Sequence, residues 1–126
     1  MRENFALIVE DNPDTAEIFE AACATAGFQT EVISDGQAAL DRLQNIVPNL
    51  ILLDLHLPNV SGDKILDHII ENEKLADVRI IVASADGQLA TYQSRKSKNK
   101  LMVLQKPVSF DQLTLLAKRI IRADIT

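Results

Sequence analysis

The chain has 126 residues, enough for one domain with a real core and too few for two. Apolar residues make up 47% and charged residues 25%, which excludes a disordered or fibrous chain. The net charge of -5 argues against nucleic-acid backbone as the main partner, and no apolar run reaches membrane-spanning length, so neither direct nucleic-acid binding nor membrane insertion is expected.

The apolar stretch behind Met1-Arg2-Glu3-Asn4 is too short for a signal peptide, and Cys23 is the only cysteine. Both fit a cytoplasmic protein, with Cys23 a small buried hydrophobe rather than a reactive thiol. Phe5-Ala6-Leu7-Ile8-Val9 is an uninterrupted apolar run and predicts a strand buried on both faces, because a half-exposed strand alternates apolar with polar. It ends in two acids, Glu10-Asp11. Asn12-Pro13 then opens a helix whose inner face is Ile18, Phe19, Ala22, Cys23 and Ala26, closed by Gly27. Gln29 to Ile33 alternates weakly, as a strand near an edge does. Ser34-Asp35-Gly36 opens a second helix with Ala39, Leu40, Leu43 and Ile46 inward.

Leu50-Ile51-Leu52-Leu53 predicts a central strand, and Asp54 follows directly. A carboxylate at the end of a buried strand is either a polar terminator or a functional group, since idle charge there is costly. Pro58 and Gly62 mark a turn-rich loop, and Ser61 caps a third helix with Ile65, Leu66, Ile69 and Ile70 on one side. His68 beside that face reads as a solvated helix histidine. Arg79-Ile80-Ile81-Val82-Ala83 is a fourth strand, ending in Ser84-Ala85-Asp86. Residues 87–100 form a helix by position, poor in apolar contacts and ending in a basic run read as a solvated end or a docking patch. Leu101-Met102-Val103-Leu104 is the fifth strand, followed by Gln105-Lys106-Pro107. A last helix from about Phe110 to Ala123 carries the stripe Leu113, Leu116, Ala117, Ile120, Ile121.

Five strand–helix units in alternation predict an α/β single domain, a parallel sheet with helices on both faces. The carboxyl ends of parallel strands lie on one edge, so Glu10, Asp11, Asp54, Ser84 and Lys106 should meet in one pocket. Clustered carboxylates repel unless a cation shares them, and hard oxygen ligands suit Mg²⁺ or Mn²⁺. With a lysine to pair an anionic oxygen and a hydroxyl to donate to one, this set suits phosphoryl transfer. Asp54, on the most continuously apolar strand, is the expected nucleophile, with Glu10 and Asp11 holding the metal.

These residues resemble a response-regulator receiver domain from Phe5 to Ala123. The matching motifs are Glu10-Asp11 after strand one, Leu-Leu-Asp54-Leu-x-Leu-Pro58-x-x-x-Gly62, Ser84-Ala85 after strand four, and Lys106-Pro107 after strand five. The resemblance implies a flavodoxin-like doubly wound sheet of order 2-1-3-4-5 with five helices. It implies Mg²⁺-dependent phosphorylation of Asp54 by a phosphohistidine on a sensor histidine kinase or histidine phosphotransfer protein. The backbone carbonyl of His56 would join the metal ligands, and the bond before Pro107 would be cis. His56, Asp86, Ala85 and Val103 occupy modulating positions; His56 and Asp86 are expected to pair across the mouth and slow hydrolysis of the acyl phosphate. Val103 stands where the family often has an aromatic, and Asn99-Lys100 where it often has Gly-Ala, which puts the usual switch surface in question.

Residues 1–126 are thus expected to form one receiver domain with a core at about 5–123. The chain stops directly after its last helix, so no output domain is expected. The protein would be a signalling receiver rather than an enzyme, catalysing only its own phosphorylation and dephosphorylation and acting on a downstream protein target or through onward relay. Two other readings are a phosphorylation-independent interaction module on the same fold and an aspartyl-phosphate phosphatase. The latter typically carries Asp-x-Asp after its first strand, whereas here the candidate nucleophile follows strand three.

Overall fold

The four apolar runs and the weakly alternating Gln29–Ile33 are the strands of one sheet. A computed structural model describes residues 4–85 and 99–125. Its strands are β1 (Phe5–Val9), β2 (Gln29–Ile33), β3 (Leu50–Asp54), β4 (Arg79–Ser84) and β5 (Leu101–Gln105), all parallel in the order β2-β1-β3-β4-β5. The expected order and all five strand positions are therefore observed. Among the described residues there are four α-helices: α1 (Pro13–Ala26), α2 (Gly36–Leu43), α3 (Gly62–Glu71) and α4 (Phe110–Ile125). The sequence predicted five. The remaining one, residues 87–100, lies outside the described residues except for Asn99 and Lys100, which are not helical.

Successive strand residues alternate between two cores because side chains in a strand point to opposite faces. Leu7, Val9, Ile51 and Leu53 pack with Ala39 and Leu43 of α2 and with Ile65, Leu66 and Ile69 of α3. Ala6, Ile8, Leu50 and Leu52 pack on the other side with Phe19, Ala22 and Cys23 of α1 and with Leu113 and Ala117 of α4. Burial on both faces explains why these runs carry no polar alternation. It also pushes the Cys23 thiol up to about 12, so the cysteine serves as packing. At the sheet edge, β2 is only partly covered, as its weak alternation implied.

Capping residues set the helix starts. Asn12 Oδ1 accepts from Thr15 N–H at 3.0 Å, Asp35 Oδ2 from Ala38 N–H at 2.9 Å, and Ser61 Oγ from Lys64 N–H at 3.5 Å. Helix α2 ends at Leu43, before Ile46, which still packs against the core from the following turn. A short 3₁₀ turn, Glu73–Leu75, links α3 to β4 and had no sequence signature. His68 is half-buried rather than solvated, and its Nε2 is covered with no partner among the described residues. No helix among the described residues is long and apolar enough to cross a membrane.

Asn99 has a structural explanation. Its buried side-chain amide donates to the carbonyls of Leu75, at 2.7 Å, and Val78, at 2.6 Å, tying the entry of β5 to the turn before β4. No alanine or glycine side chain could satisfy those two acceptors. Replacing Asn99 with Ala is expected to cost about 2 kcal/mol in urea unfolding, because the Val78 carbonyl loses its side-chain donor and the Leu75 carbonyl keeps only the Val78 N–H. A loss below about 0.5 kcal/mol, the range of ordinary surface changes, would contradict this role.

Candidate functional site

Parallel pairing places every strand's last residue on the same edge, and the registers set the neighbours. Val9 pairs Leu53, so Glu10 and Asp54 leave adjacent strands side by side; Asp54 pairs Ala83, and Ser84 pairs Gln105, the residue before Lys106. Glu10 and Asp54 are 1% and 4% exposed, which leaves two carboxylates nearly stripped of water. Lys106 compensates them. Its Nζ lies 2.6 Å from Glu10 Oε1 and 3.5 Å from Asp54 Oδ1. Backbone amides contribute as well, since Asn12 N–H donates to Glu10 Oε2 and His56 N–H to Asp54 Oδ1, both at 3.2 Å.

Asp11 is exposed, yet one oxygen each from Glu10, Asp11 and Asp54 lie within 4.8 Å of one another. They border a cavity of about 550 Å³ whose wall also includes Thr15, His56, Ala85 and Lys106. The donors are all carboxylate oxygens with room for water, a set that fits a hard divalent cation. The loop from β3 to α3 is closed at its base by Gly62 N–H donating to the Leu55 carbonyl at 3.1 Å. A Cβ on Gly62 would fall 2.6 Å from the Asp54 carbonyl oxygen and 2.5 Å from Leu55 Cα, so only glycine allows this closure.

Of the residues singled out from the sequence, Glu10, Asp11, Asp54 and Lys106 meet at one point, and His56 lies exposed at the cavity wall. Ser84 stands at the tip of β4 but is fully buried, with its carbonyl accepting Lys106 N–H at 2.8 Å; Ala85 rather than Ser84 lines the cavity. Val103 is buried in the core beside α3, with no aromatic at that position. The Lys106–Pro107 bond is cis. Asp86, and with it the pairing expected with His56, lies outside the described residues. Sequence reasoning missed Asn12 as a donor to Glu10 and Thr15 as a wall residue. Their position in the first turn after an acid-ended strand could have marked them.

Burial, with the neighbouring Asp54 carboxylate, holds the Glu10 carboxyl above its ordinary value of 4.5, while Lys106 and the Asn12 amide partly offset this. A raised carboxyl binds more protons folded than unfolded, so its contribution to stability is complete below about pH 4.5 and is lost as pH rises through the folded value. In metal-free buffer, Glu10→Gln should therefore gain stability relative to wild type as pH rises from 4 to 7. Urea midpoints that change in parallel for the two proteins would contradict it.

The comparisons with known proteins agree with this geometry. Residues 6–118 match the family model of the response regulator receiver domain. The chain is 32% identical over 119 residues to the sensor histidine kinase TmoS of Ectopseudomonas mendocina, covering 94% of this chain and 12% of TmoS. It is 33% identical over 115 residues to the "Probable methanogenesis regulatory protein FilR2" of Methanothrix harundinacea, covering 85% of this chain and 74% of FilR2. Other regulatory proteins that it matches are spanned to about a quarter of their length. The signal receiver domain of a signal transduction histidine kinase from Syntrophus aciditrophicus shares the fold at a TM-score of 0.82 and 23% identity, over 95% of this chain and 91% of that one. The chain belongs to the response-regulator receiver domains of two-component signalling.

Proposed function

We propose that this receiver takes a phosphoryl group onto Asp54 from a phosphohistidine of a sensor histidine kinase or histidine phosphotransfer protein, in a Mg²⁺- or Mn²⁺-dependent reaction. It then signals by binding a protein partner or by passing the phosphoryl group on. The single observation that carries this reading is the Lys106 ammonium set between the buried carboxylates of Glu10 and Asp54, with Asp11 beside them. The likeness to a sensor histidine kinase and to regulatory proteins supports a partner of the same pathway type.

In the proposed step, an Asp54 oxygen forms the new O–P bond as the P–N bond to the donor imidazole breaks and the electron pair returns to nitrogen. Asp11 and Asp54, with Glu10 and the His56 carbonyl by the family pattern, would hold the divalent ion, which supplies positive charge to the phosphoryl oxygens. Lys106, already 3.5 Å from Asp54, can follow the charge from the carboxylate to a phosphoryl oxygen. Ser84 is the hydroxyl placed at the neighbouring strand tip, and Ala85 leaves the wall beside it small. His56 and Ala85 border the path by which water reaches the product. No free substrate is turned over; residues 1–126 act as one receiver domain in the cytoplasm.

Intact mass after incubation with acetyl phosphate and Mg²⁺ should show one added phosphoryl group on wild type and none on Asp54→Asn. Chelating the metal should abolish the gain, and Lys106→Met should slow it about a hundredfold, as loss of a preorganised charge does. An unmodified wild type would favour the phosphorylation-independent module, whereas equal labelling of Asp54→Asn would place the acceptor elsewhere.

A further inference from the structure

The loop that follows Asp54 is fastened at its tip as well as at its base. Gly36 N–H, in the first turn of α2, donates to the Pro58 carbonyl at 3.3 Å. One residue on, Asn59 donates from its side-chain amide to Asp35 Oδ1. A Cβ on Gly36 would lie 2.1 Å from the Val60 carbonyl oxygen, so the loop backbone rests directly on the glycine. Asn59 has φ 67°, the one positive φ outside glycine among the described residues, a conformation that asparagine tolerates better than most side chains.

Asp35 divides its two oxygens between two tasks. Oδ2 accepts Ala38 N–H and caps α2, while Oδ1 receives Asn59. The cap alone needs only one oxygen, and serine or asparagine would supply it. Three residues before Asn59, the backbone N–H of His56 meets Asp54 Oδ1. The short stretch from His56 to Asn59 is thus held at one end by the site carboxylate and at the other by α2. Without the second hold, an exposed segment of this length would populate many conformers, and few would keep the His56 backbone on Asp54.

We infer that Asp35 and Asn59 are positioning residues for the site: together they latch the β3–α3 loop to α2 and so fix the His56 backbone against Asp54. This rests on the proposed phosphoacceptor role of Asp54. It adds two residues that touch no reacting atom and that sequence spacing does not connect, since they lie 24 positions apart. It also joins α2, on the edge side of the sheet, to the state of Asp54.

The test uses variants that cut the latch and spare its other tasks. Asp35→Ser keeps a capping oxygen, and Asn59→Gly keeps the positive φ. Each should lower Mg²⁺ affinity by calorimetry and slow phosphorylation by acetyl phosphate about tenfold, the scale of lost supporting contacts around a metal site. The double variant should lose no more than either single one, because both remove the same contact. The swap Asp35→Asn with Asn59→Asp, which rebuilds a cap and an amide–carboxylate pair at unchanged net charge, should return both quantities to within about threefold of wild type. Wild-type affinity and rate in Asn59→Gly, or losses that multiply in the double variant, would overturn the latch even if melting temperatures fall. Should Asp35→Ser fail to fold, Asn59→Gly, which touches no cap, decides the matter. A wild type that is never phosphorylated on Asp54 would instead overturn the function on which the latch rests.

Discussion

The buried carboxylates of Glu10 and Asp54 are kept in place by one ammonium group, that of Lys106. Neighbouring strands β1 and β3 bring the two acids together, and neither retains appreciable contact with water. Such a pair repels itself and takes up protons unless positive charge is supplied. Removing Lys106 would leave two buried carboxylates uncompensated, whereas removing either acid leaves an ammonium–carboxylate pair, so both acids depend on the one lysine. Lys106 reaches them from β5, across the tip of β4, and the residue exposed there is the small Ala85.

This arrangement depends in turn on the sheet being parallel and covered on both faces. Only parallel strands deliver all their carboxyl ends to one rim, and parallel sheets are found where helices bury both sides. The two cores meet that condition: α2 and α3 pack on one face, α1 and α4 on the other. The opposite rim does structural duty, with Asn99 tying β5 to the turn before β4. The carboxylates at the site rim border a cavity, whereas the Asn99 amide at the opposite rim is bonded to backbone carbonyls.

Much of this was legible in the residues because the signals are local. Runs such as Phe5–Val9 and Leu50–Leu53 announce strands buried on both faces, and strict alternation with helices then fixes which ends converge. Glu10, Asp11, Asp54 and Lys106 could be brought together on paper for that reason. Ser84 marks a limit: strand position placed it at the right tip, but whether its hydroxyl or the side chain of Ala85 faces the cavity depends on how the tip turns. The contacts that sequence could not supply are all long-range. Asn99 finds carbonyls 24 and 21 positions away, and Asn59 finds Asp35 across a similar gap, with no periodicity to announce either. His68 failed for the related reason that helical phase places a residue beside a face without saying what covers it.

The function proposed for this rim requires Asp11 and Asp54 to share a divalent ion beside Lys106. Paramagnetic Mn²⁺ added to ¹⁵N-labelled protein tests this directly, through the amide signals that it broadens. Broadening should centre on the backbone of Glu10, Asp11, Asp54, His56, Ala85 and Lys106, and Asp11→Asn should abolish it at the same metal concentration. Broadening centred elsewhere, such as on the exposed acids of α1 or α2, or broadening that is unchanged in Asp11→Asn, would contradict the account.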